Sequence, residues 1–410
     1  MSSNKKEIAV IGGGAAGFFA AINCAMNFPD HRITIFEKSN KLLAKVRISG
    51  GGRCNVTHDC FDNRMLVKNY PRGEKQLMNA FARFSVADTI QWFSERGVTL
   101  KTEEDGRMFP VSNRSETIVN CLMNEADKYK VKIELNSELI SLKKNPDESF
   151  ELSFKNGNKI SADKILIAAG GHPKSESLAW LCETGHELVS PVPSLFTFNI
   201  PGNSVTGLMG VSVPFAKLMI EGTKHQVQGP LLITHWGLSG PATLKLSAGA
   251  ARELSDRNYN FKLSVSWLGD DSTEEILEKI NSAKKENSSK QLSVYFPFEL
   301  PRRLRFYLFD KIKISDTLRW ADLSKEQGKK LINVLTQDIY DVRGKTTFKE
   351  EFVTSGGVNL DDVDFRTMES RKCKGIFFAG EVLDIDAYTG GFNFQAAWTT
   401  GFISGTNIGK

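Results

Sequence analysis

Gly12, Gly14 and Gly17 stand in the spacing G-x-G-x-x-G, and Glu37 follows the last of them by 20 residues. Glycine at these positions permits a tight turn, lets backbone approach a diphosphate and lets a helix pack close on a strand. Ala15 and Ala16 then open a helix whose first N–H groups and positive dipole end favour phosphate. An acid placed like Glu37 accepts hydrogen bonds from a ribose hydroxyl and disfavours a 2′-phosphate. The chemistry these residues point to is the binding of a dinucleotide.

Three further groups have the residue types for the same work. Ser49, Gly50, Gly51 and Gly52 precede Arg53, Cys54 and Asn55. A glycine run of this kind can line an anion or a flat ring with N–H groups, and Arg53 adds a fixed charge. Ala168, Ala169, Gly170 and Gly171 end an apolar run, DKILIAAGG, and would let the chain pass close to a ligand. Gly380-Glu381, Asp384 and the turn Gly390-Gly391 precede a helix expected from about Asn393 to Ser404. The acids suit sugar or ribityl hydroxyls, and that helix start suits the negative charge of a reduced flavin ring. Arg107 is a further anion candidate. Cys54 and Cys60 match no common redox spacing and read as unrelated thiols.

The elements that must position these groups follow from pattern. Ile8–Ile11 is a short apolar strand, Ala15–Met26 a helix and Arg32–Phe36 a second strand, which together make one β-α-β unit. Residues 74–100 read as one amphipathic helix with Leu77, Phe81, Phe84 and Trp92 on its core face. A helix over Glu116–Tyr129 and a strand over Lys132–Leu135 follow. A small meander turns at Asn156-Gly157. Asp163–Gly171 and Gly375–Gly380 are buried strands. Pro191 and Pro193 mark a boundary. Beyond it the chain is β-rich to about Trp267, with one helix capped by Ser239. Residues 272–336 are helical and rich in Lys and Glu, and a β-stretch over Thr346–Val353 leads back. The expected domains are 1–192 and 353–410 for the cofactor, 193–271 with 337–352 as a β-rich insert, and 272–336 as a helical subdomain.

Bulk composition narrows the classes. The chain has 410 residues, a net charge of +5 and six scattered cysteines without zinc spacing, so no metal site is expected. No apolar run approaches a membrane span, and the first strand begins too early for a signal peptide, so a cytoplasmic location is expected. A charge of +5 averaged over this length does not argue for nucleic acid as a partner.

Four blocks together resemble the BaiN-type bacterial flavoproteins, also labelled the aminoacetone oxidase family or NAD(P)/FAD-dependent oxidoreductases. They are IGGGAAG with Glu37, ISGGGRCNVT, ITHWGLSGPATLKLS, and VTSGGVNL with TMES and GEVLDIDAYTGGFNFQAAW. The resemblance covers nearly the whole chain. It implies an α/β fold: a Rossmann-like FAD-binding domain of the glutathione reductase type, with an inserted β-barrel-like domain and a small helical subdomain. Carried over by position, FAD contacts are Gly12, Gly14, Gly17, Glu37, Lys38, Lys45, Gly52, Arg53, Asn55, Gly380, Glu381, Asp384, Gly391, Phe392 and Asn393. Ala15, Ala16, Ser49, Gly51, Cys54, Leu139, Ala168, Ala169, Gly170 and Gly390 complete the expected set. The sequence departs from the family where AAGGHPKSESLAW is shorter and lacks a glycine-rich run.

No second G-x-G-x-x-G unit follows a strand, so NAD(P)H is expected to bind transiently over the flavin rather than in its own domain. The expected reaction passes hydride through flavin N5 to a small organic molecule, an activated C=C bond being one acceptor. Tyr388 and His235 are the candidate proton donors. The rivals are an oxidase that uses O2 and a flavin-containing RNA-binding or redox-sensing protein. Oligomeric state is not legible.

Overall fold

The computed structural model describes residues 5–172, 174–346 and 353–410. The β-stretch expected over Thr346–Val353 lies mostly outside the described residues. The chain divides into two compact units, Met1–Ser194 with Lys349–Lys410, and Leu195–Phe348.

The first unit is built on a parallel sheet. Its strands are β1 (Glu7–Ile11), β2 (Arg32–Phe36), β3 (Lys132–Glu134), β4 (Lys164–Ile167) and, from the far end of the chain, β7 (Ile376–Phe378). They lie in the order β3-β2-β1-β4-β7, and two short antiparallel strands extend the β7 edge. The central strands are apolar because both faces are covered. Ile165, Ile167, Ile376 and Phe378 face one cluster, and Ile8, Val10 and Leu166 the other.

Helix α1 (Ala15–Asn27) and helix α2 (Phe392–Ile408) cover the second face together. A methyl group on Gly401 would lie 2.9 Å from the Ala16 carbonyl oxygen, and one on Gly405 2.4 Å from that of Ala20. Glycine there lets the two backbones touch. The pairing of Ala16 with Gly401 and Ala20 with Gly405 also means the helices run in the same direction. Their N-termini point toward the same edge, the carboxyl end of the sheet.

A three-stranded meander, Leu139–Lys144, Phe150–Phe154 and Lys159–Ala162, turns at Gly157 in left-handed backbone. Strands β5 (Leu188–Ser194) and β6 (Val353–Val358) form a separate antiparallel pair. Pro191 and Pro193 therefore sit inside a strand, tolerated because a two-stranded sheet has only edges. The unit boundary falls one residue beyond Pro193, after Ser194.

Two expected helices are divided. Residues 74–100 form Glu74–Phe81 and Val86–Ser94. The first ends with Ala82 as its C-cap, and Ser85 starts the second through a capping box with Asp88. Leu77, Phe81, Phe84 and Trp92 are all buried, as their spacing implied. In the second unit the helix expected after Ser239 becomes Pro241–Gly249 and Ala251–Asp256, and its N-cap is Gly240 rather than Ser239.

The second unit has a seven-stranded antiparallel sheet. Its end strands, Asp338–Arg343 and Lys345–Thr346, are consecutive and joined at Gly344, so the sheet curls back on itself. Helices Thr273–Glu286, Arg302–Lys311 and Lys325–Thr336 pack on it. One core holds strand residues such as Leu263 and Val265 together with helical Ile276, Leu304 and Leu331. The helical segment therefore shares its interior with the strands.

Candidate cofactor site

Each glycine of the first motif has a distinct physical reason. Gly12 has φ +116, and a Cβ there would lie 2.3 Å from the Ala168 carbonyl oxygen. A Cβ on Gly17 would lie 2.0 Å from the Gly12 carbonyl oxygen. These two positions are closed by the protein itself. Gly14 is different, because nothing of the protein lies within 4 Å of the Cβ it lacks. Gly14 is also the N-cap of α1, with no side-chain cap and no acid in the first turn. The helix therefore offers open backbone and a positive dipole end to an anion.

Glu37 is held beside this turn. One carboxylate oxygen accepts from the Gly13 N–H at 2.9 Å, the other from the Ser39 N–H at 2.9 Å and its hydroxyl at 2.8 Å. Lys38 is exposed next to it. The head and tail of the chain meet here: a Cβ on Gly380 would touch that of Ala16 at 2.7 Å. The Gly380 N–H donates to Thr400 on α2. Glu381 receives the Lys45 ammonium at 2.6 Å and the Thr354 N–H at 3.1 Å. Asp384 donates its N–H to the Val358 carbonyl.

The second glycine run lies within a kinked segment, Ala44–Gly52. Gly50, Gly51 and Gly52 have φ of +58, +68 and +82, and Gly51 and Gly52 have open space where side chains would be. Ser49 caps the preceding turn through the Val46 carbonyl. Asn55, with its amide turned to satisfy its neighbours, donates to the Met108 and Thr57 carbonyls and accepts from the Gly391 N–H. This joins the run to the start of α2, where Gly391 (φ +94) is an N-cap without a side-chain cap. Asn393 pins the approach by bonding both backbone groups of Ala387. The Gly390 carbonyl meets the His58 ring at 2.9 Å, and Phe392 packs against that ring.

Some expected residues are otherwise engaged. Arg53 pairs with Glu103 and lies 4.0 Å over the Phe109 ring. Arg107 pairs with Glu103 and Asp105. Their charges are already offset within the protein. Leu139 is buried in the meander, and Ala168 and Ala169 pack at the end of β4. Cys54 is fully buried, and burial pushes its thiol up to about 12. Tyr388 is half-buried, its N–H bonded to the Asn69 carbonyl, and burial raises its hydroxyl above the usual range. His235 lies in the second unit, its ring against Trp236.

Two features went unread in the sequence. Asp386 is fully buried and takes both a forked bond from Arg72 and the Ser194 hydroxyl at 2.6 Å. That cluster fixes the loop before Tyr388. No short motif marks it, since Arg72 and Asp386 lie 314 residues apart. His172 and Thr354 are the second feature; each carries a buried polar atom with no partner.

These residues fit a flavin dinucleotide. Two uncapped helix N-termini face one edge, Gly14, Gly51 and Gly52 leave open backbone, and two buried polar atoms await partners. FAD bound there would supply hydride acceptance and donation. The chain's own part would be to hold phosphates at α1, ribose at Glu37 and developing negative charge at the start of α2.

Comparison with known proteins agrees. The chain is 29% identical over its whole length to a ribosomal RNA dihydrouridine synthase of Haemophilus influenzae, covering 100% of both chains. It is 26% identical to a 3-dehydro-bile acid delta(4,6)-reductase of Clostridium scindens, covering 97% of this chain and 98% of the relative. A 3-ketosteroid-delta4-(5alpha)-dehydrogenase of Rhodococcus jostii shares the fold, with a TM-score of 0.52 at 12% identity over 99% and 97% of the two chains. The HI0933-like protein Rossmann domain matches residues 6–407, so the chain belongs to the HI0933-like flavoprotein family of FAD-dependent oxidoreductases.

Proposed function

We propose that this protein is an FAD-dependent reductase that draws hydride from transiently bound NAD(P)H and saturates a C=C bond conjugated to a carbonyl. The observation that carries the reading is the convergence of two uncapped helix N-termini, from opposite ends of the chain, on one glycine-lined edge. A dipole end at the flavin favours the reduced, negatively charged ring. The names of two relatives support the acceptor. Dihydrouridine is uridine with its ring C=C saturated, and a delta(4,6)-reductase removes ring double bonds. Both acceptors need a hydride and a proton. Tyr388 is the proposed proton donor, because its hydroxyl is held protonated by burial on a loop braced by Arg72 and Asp386.

Between these acceptors, uridine in RNA is favoured. Residues 195–348 hold 21 Lys and Arg against 16 Asp and Glu, so this unit carries the whole net charge of +5. A phosphate backbone is drawn to such a surface.

The test is the visible spectrum of the purified protein before and after anaerobic NADH or NADPH. A yellow protein whose flavin bleaches, and whose reduced form is reoxidised by a uridine-containing RNA faster than by O2, meets the proposal. A colourless protein that takes up no added FAD ends it. Fast reoxidation by O2 alone makes it an oxidase instead.

A further inference from the structure

A pocket opens beyond the glycine turn, at the carboxyl ends of β4 and β7. Its walls are largely apolar, formed by Leu178, Leu188, Val189, Pro191 and Val382. One end is polar, with His172 and Glu381 in the lining. Gly171 sits between them. A Cβ there would lie 2.6 Å from a Glu381 carboxylate oxygen and 2.7 Å from the Thr354 hydroxyl. Glycine at 171 thus lets the carboxylate and the hydroxyl close on the backbone, where any side chain would crowd both.

Two atoms at this end are buried and have no partner in the protein, His172 Nε2 and Thr354 Oγ1. Such atoms are few in folded proteins, and each calls for a reason. A neutral imidazole carries one proton, so one ring nitrogen donates and the other accepts. Burial, with Lys38 and Lys45 nearby, keeps the ring neutral and brings it down to about 4. With the ring proton on Nδ1, the unpartnered Nε2 is an acceptor. The matching ligand atom is an N–H or O–H. Glu381, which lines the same pocket, pairs with Lys45 and accepts the Thr354 N–H.

We infer that His172 Nε2 and Thr354 Oγ1 are completed by a donor group of the bound flavin dinucleotide, which makes His172 a cofactor-positioning residue of this chain. The inference rests on the FAD reading above. It also gives a role to His172, which stands where this sequence departs from the glycine-rich run of its family.

The test separates a ligand role from a structural one. Removing a polar group that has no partner in the protein leaves the empty protein as stable as before, or more so. Removing one that bonds within the protein destabilises it. The variants are His172→Phe and Thr354→Val, each keeping bulk without the acceptor, and His172→Gln, whose side-chain oxygen still accepts. Apoprotein is prepared from each, its melting temperature is measured, and FAD is titrated by quenching of flavin fluorescence. The expected result is unchanged or higher melting for the apo forms, FAD binding about tenfold weaker for His172→Phe and severalfold weaker for Thr354→Val, and recovery of most of the loss in His172→Gln. Unchanged FAD affinity and visible spectrum in both His172→Phe and Thr354→Val, while wild type binds FAD, overturns the inference and leaves the cofactor reading standing. A fall in apo melting with no separate loss of FAD affinity assigns the residues to the fold instead. Should wild type itself fail to bind FAD, the cofactor reading is the one that has failed.

Discussion

The two units differ in what their surfaces offer. The first is charge-balanced, with 32 basic and 32 acidic residues, and offers bare backbone where glycines interrupt side-chain cover. The second holds a large core around Trp267, Trp320 and Phe196, and offers charge. Backbone recognition demands glycine at set spacings, because one methyl group closes the approach. Recognition by net charge demands no spacing, since a Lys or Arg works from many positions on the same face. The two kinds of surface should therefore respond differently to substitution.

The largest effect tests the first kind within a single motif. Gly17→Ala sets a methyl group 2.0 Å from the Gly12 carbonyl oxygen, backbone against backbone. We expect a colourless protein destabilised by on the order of 3 kcal/mol. Gly14→Ala meets nothing of the protein within 4 Å, and its φ of −94 suits any residue. Its apo form should melt within about 0.5 kcal/mol of wild type, while FAD binding weakens at least tenfold (about 1.4 kcal/mol). Denaturation of the apo forms together with FAD titration checks both. Equal FAD affinity in wild type and Gly14→Ala would mean that no ligand approaches the start of α1.

This contrast also accounts for what could be read in advance. β1, α1, β2 and Glu37 were legible because tight turn, helix and acid are local and leave a spaced signature. The meander turn at Gly157 was legible for the same reason. The division at Ser85 had a local signal too, since Ser85 and Asp88 have the spacing of a capping box; the apolar period running across it masked the break. Asp386 with Arg72, and Thr354 beside Gly171, could not be read. Those contacts form only after distant strands align, and nothing near either residue announces its partner. Net charge hid an asymmetry for a different reason: averaged over 410 residues, +5 is slight, yet all of it falls within one unit.

A middle-sized effect tests the second kind of surface. Arg302, Lys325 and Lys329 are exposed on helices of the charged unit. Changing all three to Gln should leave FAD content, melting and anaerobic bleaching as in wild type. RNA affinity at low salt should fall severalfold, and the slope of log affinity against log salt should flatten by about 0.7 to 0.9 for each phosphate no longer neutralised. Titrating a labelled ribosomal RNA fragment at several salt concentrations reads this directly. An unchanged slope would mean that these helices do not meet phosphate, and the RNA reading would lose its support from charge.

The smallest effect concerns a residue that sits among the glycines and whose burial argues against thiol chemistry. Cys54 follows Gly52 and Arg53, a position that invites assignment of thiol redox chemistry beside a flavin. Its side chain is fully buried, and burial pushes the thiol up to about 12, so almost none is thiolate at neutral pH. Nucleophilic and redox reactions of cysteine need the thiolate. Exposed Cys182 should therefore react first with a thiol reagent at pH 8, and Cys54 only after unfolding. Cys54→Ala removes only a small buried sulfur, so we expect a stability loss of about 1 kcal/mol and NAD(P)H-driven bleaching within about threefold of wild type. A hundredfold loss of reduction in a folded, FAD-loaded Cys54→Ala protein would place sulfur chemistry beside the flavin and break the rule that this unit works through its backbone.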